Sequence, residues 1–194
     1  MPKEQKYSRV WFVVGILVAA NLALWSAVLA AGSGEYVRLT VFDVGQGDAI
    51  YLRSLEGNDI LIDGGPGDAV LSKLGKAMPF GDRKIELMIL THPHADHVSG
   101  LIEVLKRYRV DEIMFPEVDY ESATYEKFLG LVKEKNIKIV RPALGQRIFL
   151  DSGTALDILY PATGRFEKAP VDINDASIVA RLSLGQNQVL MTGD

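Results

Sequence analysis

The sequence predicts an α/β (α+β) fold of two stacked sheets with helices outside, preceded by one N-terminal transmembrane helix. Three observations carry that prediction. An uncharged run of 22 residues, Val10–Ala31, opens the chain. From Val37 onward, short β-rich runs give way to helix–strand units and then return to strands. The remaining length, within 194 residues at 48% hydrophobic content, suits one sizeable core rather than two.

The first element is the uncharged run. As a helix it would span roughly 33 Å, close to the hydrocarbon thickness of a bilayer. Trp11 and Trp25 stand near its ends, where amphipathic rings sit at membrane interfaces. Lys3, Lys6 and Arg9 precede it, so residues 1–9 are expected in the cytoplasm, 10–31 in the membrane, and the rest outside. Two alternatives are a buried core helix and a cleaved signal peptide, with Val28-Leu29-Ala30 or Leu29-Ala30-Ala31 as cleavage contexts. Residues 32–36 form a linker around Gly32-Ser33-Gly34, and 37–194 form the soluble domain.

That domain opens with strands at Val37–Asp43, Ala49–Arg53 and Asp59–Asp63. The tight turn Gly45-Gln46-Gly47-Asp48 joins the first two, and the three make an antiparallel meander. A helix at Ala69–Met78 carries Val70, Leu71, Leu74 and Met78 at helical spacing. A buried strand, Glu86–Thr91, runs straight into His92. Ser99-Gly100 then leads into a helix at Leu101–Tyr108. Asp111–Phe115 is a strand, Glu121–Lys135 a helix closed by Asn136, and Ile137–Val140 a strand. Arg147–Leu150, Leu156–Tyr160, Ser177–Leu184 and Gln188–Thr192 make a second antiparallel set.

Composition excludes several classes. With no cysteine there is no disulfide scaffold, no zinc finger and no thiol nucleophile. Residues 36–194 carry 18 basic and 23 acidic side chains, a net of −5, so no broad basic field can grip a phosphate backbone. The small basic groups, Lys73, Lys76, Arg83 and Lys84, then Lys106, Arg107 and Arg109, read as solvated faces.

All three histidines fall in one hexapeptide, His92-Pro93-His94-Ala95-Asp96-His97, at the end of an apolar strand. Open α/β sheets place ligands there. Imidazoles with a carboxylate suit Zn²⁺, Mn²⁺ or Fe. His92 and His94 can aim at one point, whereas Asp96 and His97 diverge and are positioned to hold a second ion. Two metals about 3.5–4 Å apart would bridge a hydroxide and supply the nucleophile without Ser or Cys.

The hexapeptide resembles the signature of the metallo-β-lactamase superfamily, which implies a four-layer αββα sandwich. Phe42-Asp43-Val44-Gly45-Gln46-Gly47-Asp48-Ala49, Leu61-Ile62-Asp63-Gly64-Gly65, Leu90-Thr91-His92, Asn174-Asp175-Ala176-Ser177 and Met191-Thr192-Gly193-Asp194 follow in the order seen in one branch. That branch is the C-terminal domain of the ComEC/Rec2 competence proteins, held to be a metal-dependent nuclease acting on DNA during uptake. The resemblance implies His92 and His94 on a first metal, Asp96 and His97 on a second, and Asp194 bridging both. Asp63 would orient the motif loop, and Asp43 and Asp48 would line the same mouth. Asp96, Asp63 and Asn174 are the candidate catalytic residues. The cofactor would be two divalent ions, Zn or Mn.

The chain departs from that pattern in two places. No His follows His97, so the family's further imidazole is replaced near Asn174-Asp175-Ala176-Ser177, where Asn174 or Asp175 offers oxygen, tilting the choice towards Mn²⁺. The sequence also stops at Asp194, before the last strand, helix and ligand of family members. A C-terminally incomplete domain with exposed edges and low stability is therefore expected. The functional expectation is a membrane-anchored metallohydrolase cleaving phosphodiesters, most plausibly DNA, beside a multi-pass uptake channel protein. The alternatives are hydrolysis of a small ester, thioester or lactam, and a non-catalytic domain that binds DNA or metal. An apolar pocket would favour the small substrate, and an open groove bordered by Lys73, Arg83 or Arg107 would favour DNA.

Overall fold

The computed structural model describes residues 2–31, 36–163, 166 and 170–194. They fall into two units divided between Glu35 and Tyr36. The expected joint Gly32-Ser33-Gly34 lies outside the described residues. The first unit is one helix, α1 (Pro2–Ala31). Within it, Val10–Val28 is long and apolar enough to cross a membrane. None of that span is buried, which does not fit a core helix. A signal sequence near the N-terminus passes the same test of length and apolarity.

The second unit begins with β1 (Arg38–Val41), β2 (Ile50–Arg53) and β3 (Asp59–Ile62), followed by α2 (Ala69–Ala77) and β4 (Lys84–Ile89). Then come α3 (Ala95–Arg107), β5 (Arg109–Met114), α4 (Ala123–Glu134) and β6 (Lys138–Val140). The chain ends with β7 (Arg147–Phe149), β8 (Thr154–Tyr160), a 3₁₀ turn at Ile173–Ala176, β9 (Val179–Leu184) and β10 (Asn187–Met191). The first six strands form one sheet in chain order, antiparallel from β1 to β3 and parallel from β3 to β6. The last four form an antiparallel sheet ordered β10-β9-β8-β7.

The strand pattern explains the stacking. In β3 and β4, Leu61 and Met88 point to one face and Ile60, Ile62, Leu87 and Ile89 to the other. The first face packs under the helices, against Leu74, Val98, Leu101, Leu105 and Phe128. The second packs against Leu156, Ile158, Leu182 and Met191 of the other sheet. Being covered on both faces is why these two strands read as unbroken apolar runs. Each fully buried Leu, Ile or Phe contributes about 1.5–3 kcal/mol.

Among the described residues the order of layers is helices, sheet, sheet. No helical residue joins the second core, and the outer face of the second sheet leaves Phe149 75% and Leu190 58% exposed. The expected fourth layer has no described helix to form it, since the 3₁₀ turn is the only helical element described from β7 to β10.

Helix α3 starts six residues earlier than Ser99-Gly100 suggested. His97 N and Val98 N both donate to His94 O, so the helix begins inside the histidine motif. Gly100 belongs within it because a Cβ there would lie 1.9 Å from Gly64 O. Helix α4 follows the expected pattern: the Ser122 side chain accepts from Tyr125 N, and Asn136 stops the helix with φ +52°.

Candidate metal centre

Parallel pairing of β3 with β4 delivers the chain segments after both strands to one edge of the sheet. Asp63 follows β3, and Leu90-Thr91-His92 follows β4. Asp63 N donates to Ile89 O at 2.8 Å, which locks the two exits together. Two further backbone bonds stitch α3 to the β3 exit: Gly64 N to His97 O and Gly100 N to Gly65 O, each 2.9 Å. The second sheet joins at the same place through Ile178 N to Thr91 O, 3.1 Å. Because β9 and β10 are antiparallel, the start of β9 brings the end of β10 with it. Gly193 consequently lies against Ser177 and Thr91, where a Cβ would meet their side chains at 3.0 and 3.3 Å.

Asp63 is the organising group. It is 1% exposed, with φ +55°. Its Oδ1 accepts from Thr91 N at 2.8 Å, and its Oδ2 accepts from Thr91 Oγ1 at 2.6 Å and from His97 Nδ1 at 2.9 Å. Thr91 has one hydroxyl proton, and Asp63 takes it. Thr91 Oγ1 therefore accepts from His92 Nδ1 at 3.0 Å. One buried carboxylate thus fixes both rings with Nδ1 carrying hydrogen and Nε2 turned outward.

The Nε2 atoms meet Asp194. Its Oδ2 lies 3.4 Å from His97 Nε2 and 4.0 Å from His92 Nε2. Donor atoms of His92, His97 and Asp194 all lie within 4.8 Å of one another. His97 Nε2 is buried and has no hydrogen-bond partner among the described residues. His94 Nδ1 is 3.1 Å from His92 Nε2, and the far side of the His94 ring meets Tyr120 edge-on at 6.0 Å between centroids.

Burial and then the charge of His97 push His92 down to about 4, so it is a neutral imidazole at pH 7. Burial acts the same way on His97, but the hydrogen bond and charge of Asp63, with Asp194 behind it, win and raise it to about 9.

The structure brings some of the expected site residues together and leaves others apart. His92, His97 and Asp194 converge, and His94 touches His92. His97 does not diverge from His92 as the hexapeptide alone suggested: their ring centroids are 4.2 Å apart. The first turn of α3 curls His97 back over the β3 exit. Asp96, half-buried on the same turn, stands outside the converging group. Asn174 lies in the 3₁₀ turn with its Oδ1 buried and unpartnered. Asp175 and Asp43 are exposed. Thr91 and Ser177 stood in quoted motifs without an assigned role, and Tyr120 was not singled out. Thr91 relays Asp63 to His92, Tyr120 flanks His94, and Ser177 lies against Gly193. Thr91 left a signal as a hydroxyl placed between an apolar strand and a histidine, and Ser177 as the end of Asn174-Asp175-Ala176-Ser177.

Lys84, Arg107 and Arg109 do not border this centre. Lys84 and Arg109 begin β4 and β5, whereas His92 follows the other end of β4. Arg107 closes α3, roughly 20 Å along the helix from His94. Beside the centre, a cavity of about 230 Å³ is lined mainly by Leu39, Val41, Ile50, Ile62, Val189 and Met191, with Asp48, Asp63 and Thr91. On the His94 side lies an open cleft with Tyr120, Pro170, Val171 and Ile173.

Imidazole lone pairs and a carboxylate oxygen converging beside a buried, unpartnered His97 Nε2 are a donor set that fits a divalent cation. Stacked sheets with helices on one side and such a knot at the strand ends define a metallohydrolase-type fold. The chain matches the family model of the metallo-beta-lactamase superfamily over residues 42–194 and belongs to that superfamily. Its members are metal-dependent hydrolases, and their domains usually bind divalent metals.

The chain is 22% identical over 209 residues to ComE operon protein 3 of Bacillus subtilis, covering 99% of this chain and 26% of that protein. It therefore spans about a quarter of that relative's length. Among solved structures it is similar to the metallo-beta-lactamase fold protein YhfI of Bacillus subtilis, with a TM-score of 0.53, 20% identity and coverage of 82% and 63% of the two chains. It is also similar to MEM-A1, a subclass B3 metallo-beta-lactamase from a soil metagenome library, with a TM-score of 0.50, 15% identity and coverage of 80% and 58%.

Proposed function

We propose that this chain is a membrane-anchored, metal-dependent phosphodiesterase that acts on DNA at the outer face of the membrane during uptake, beside a channel protein. The observation that carries the hydrolytic reading is the convergence of His92, His97 and Asp194 donors within 4.8 Å. His94 and Asp96 of the motif stand next to that group and complete the proposed ligand set for two ions, Zn or Mn. The DNA and uptake reading draws on the motif order shared with competence proteins and the match to ComE operon protein 3. The anchor reading draws on Val10–Val28 and the basic residues before it.

A divalent cation held by His92, His97 and Asp194 would lower the pKa of water towards neutrality and would offset charge on a phosphoryl oxygen. The chain's own part is positional. Asp63, through Thr91 and directly, holds two imidazoles with Nε2 facing Asp194. His97 must give up its Nε2 proton when that nitrogen becomes a ligand, so cation binding strengthens as pH rises. Asn174 offers an unpartnered carbonyl oxygen for substrate or cation.

A specific observation favours a second reading. The cavity beside Asp63 and Thr91 is walled by aliphatic side chains, which suits a small ester, thioester or lactam better than a polyanion. The test measures plasmid nicking and ester hydrolysis by the full chain in detergent with Mn²⁺ or Zn²⁺, against His92→Ala and His94→Ala. Nicking lost in both variants supports the phosphodiesterase. Ester turnover without nicking supports the second reading. Equal cleavage by wild type and variants refutes both, and binding without any turnover indicates a non-catalytic domain.

A further inference from the structure

The open cleft on the His94 side measures about 510 Å³ and draws its walls from two segments far apart in the chain. One follows β5 and carries Tyr120. The other, Pro170 to Ile173, leads into the 3₁₀ turn. A small apolar cluster joins them, with Val118 of the first packed against Ile173 and Ala176 of the second. Phe166 N also donates to Glu117 O at 3.0 Å. Tyr120 is seated on this cluster and on the main core at once. A ring held from two sides keeps its direction, as a recognition surface requires.

The lining has a definite chemistry. Tyr120 and His94 meet edge-on at 6.0 Å between centroids and make an aromatic corner. Val171 at the rim is fully exposed, an apolar side chain that nothing in the described chain covers. Asp172 adds a carboxylate, whose Oδ1 accepts from Asn174 N at 3.0 Å. That charge repels a phosphate, whereas a flat neutral ring gains contact with the aromatic corner and the valine. A nucleobase is such a ring, and the cleft is open, so a base can enter while its strand runs on outside. His94 belongs both to the cleft and to the motif, with its Nδ1 3.1 Å from His92 Nε2. A base seated on Tyr120 therefore belongs to a nucleotide flanking the phosphodiester at the centre. In a duplex both faces of each base are already stacked, so a platform of this kind selects an unpaired strand.

We propose that Tyr120 determines specificity: its ring is a stacking platform for an unpaired base beside the scissile phosphodiester, and the substrate is single-stranded DNA. This rests on the phosphodiesterase reading above, and it names the form of DNA and the group that is recognised.

The test uses the full chain in detergent with Mn²⁺ and two labelled strands of equal length, an oligothymidylate and the same deoxyribose-phosphate backbone without bases. Wild type should cleave the intact strand with a kcat/KM about tenfold above that for the abasic strand, the gain from one stacked base, and chiefly through KM. Tyr120→Phe keeps the ring and should keep the ratio. Tyr120→Leu fills the space without a ring and should bring the ratio to within about twofold of one, while its Mn²⁺ affinity by titration calorimetry stays within about twofold of wild type. Phe80→Leu, at an exposed ring between α2 and β4, should leave the ratio unchanged. A wild-type ratio near one, or a ratio that Tyr120→Leu leaves unchanged, overturns the platform and leaves the phosphodiesterase reading standing. Equal loss on both strands in Tyr120→Leu also overturns it, since that is what a merely structural ring would give. No cleavage of either strand by wild type with Mn²⁺ bound overturns the phosphodiesterase reading and the platform together.

Discussion

Asp63→Asn removes one charge and keeps the shape of the side chain. The Asn can hold φ +55°, a conformation it adopts more readily than most residues, so backbone strain does not confuse the result. Burial lowers His97, but the hydrogen bond and charge of Asp63, with smaller additions from Asp194 and Asp96, raise it from 6.5 to about 9. A shift of that size corresponds to about 3 kcal/mol of preference for the charged ring in the folded state. The pair is 0% and 1% exposed, so solvent screening does not discount it. For a unit of this size, 3 kcal/mol corresponds to a fall of about 6–12 °C in melting temperature.

The sign follows from linkage. A raised pKa contributes stability that is fully present below about pH 6.5 and lost as pH rises through 9. In EDTA the wild type should therefore exceed Asp63→Asn by its full margin at pH 6, and the two curves should approach each other by pH 10. Thermal melting followed by circular dichroism across that range reads both quantities. A margin that does not change with pH, or one under about 1 kcal/mol, refutes the Asp63–His97 coupling.

Three other expectations follow from the same geometry. Below pH 6 the metal-free protein should lose about 3 kcal/mol, because His92, held down to about 4, cannot take the proton that the unfolded chain binds; His92→Asn should flatten this acid limb in urea titrations. Gly100→Ala should cost about 3 kcal/mol or more and lower metal affinity, since its Cβ would sit 1.9 Å from Gly64 O and force α3 off the β3 exit; a melting temperature within 2 °C of wild type would contradict the close approach. Phe128→Ala, at a fully buried ring away from the centre, should cost about 3–5 kcal/mol in urea and leave metal stoichiometry unchanged.

Much of this architecture was legible in the chain. The 2.0 and 3.6 residue periods located β1 to β10, α2 and α4 to within a few residues, because buried faces impose those spacings. The start of α3 was not legible. Ser99-Gly100 is local punctuation, and the need for Gly100 comes from Gly64, distant in sequence but pressed against it in space. The convergence of His92 with His97 was hidden for the same reason, since it depends on where that helix begins. The hexapeptide announced a cation centre, and the resemblance placed Asp63 and Asp194 beside it. The relay through Thr91 depends on hydrogen-bond bookkeeping that only coordinates supply. The basic groups read as solvated faces, and Lys84 and Arg109 begin β4 and β5, at the opposite end of the strands from His92.

The most direct test of the centre is anomalous diffraction from crystals of the protein grown with Mn²⁺. The account predicts an anomalous peak bounded by His92, His97 and Asp194, at ligand distance from both Nε2 atoms. Peaks only elsewhere on the molecule, or His97 Nε2 left without an ion at saturating Mn²⁺, would contradict it.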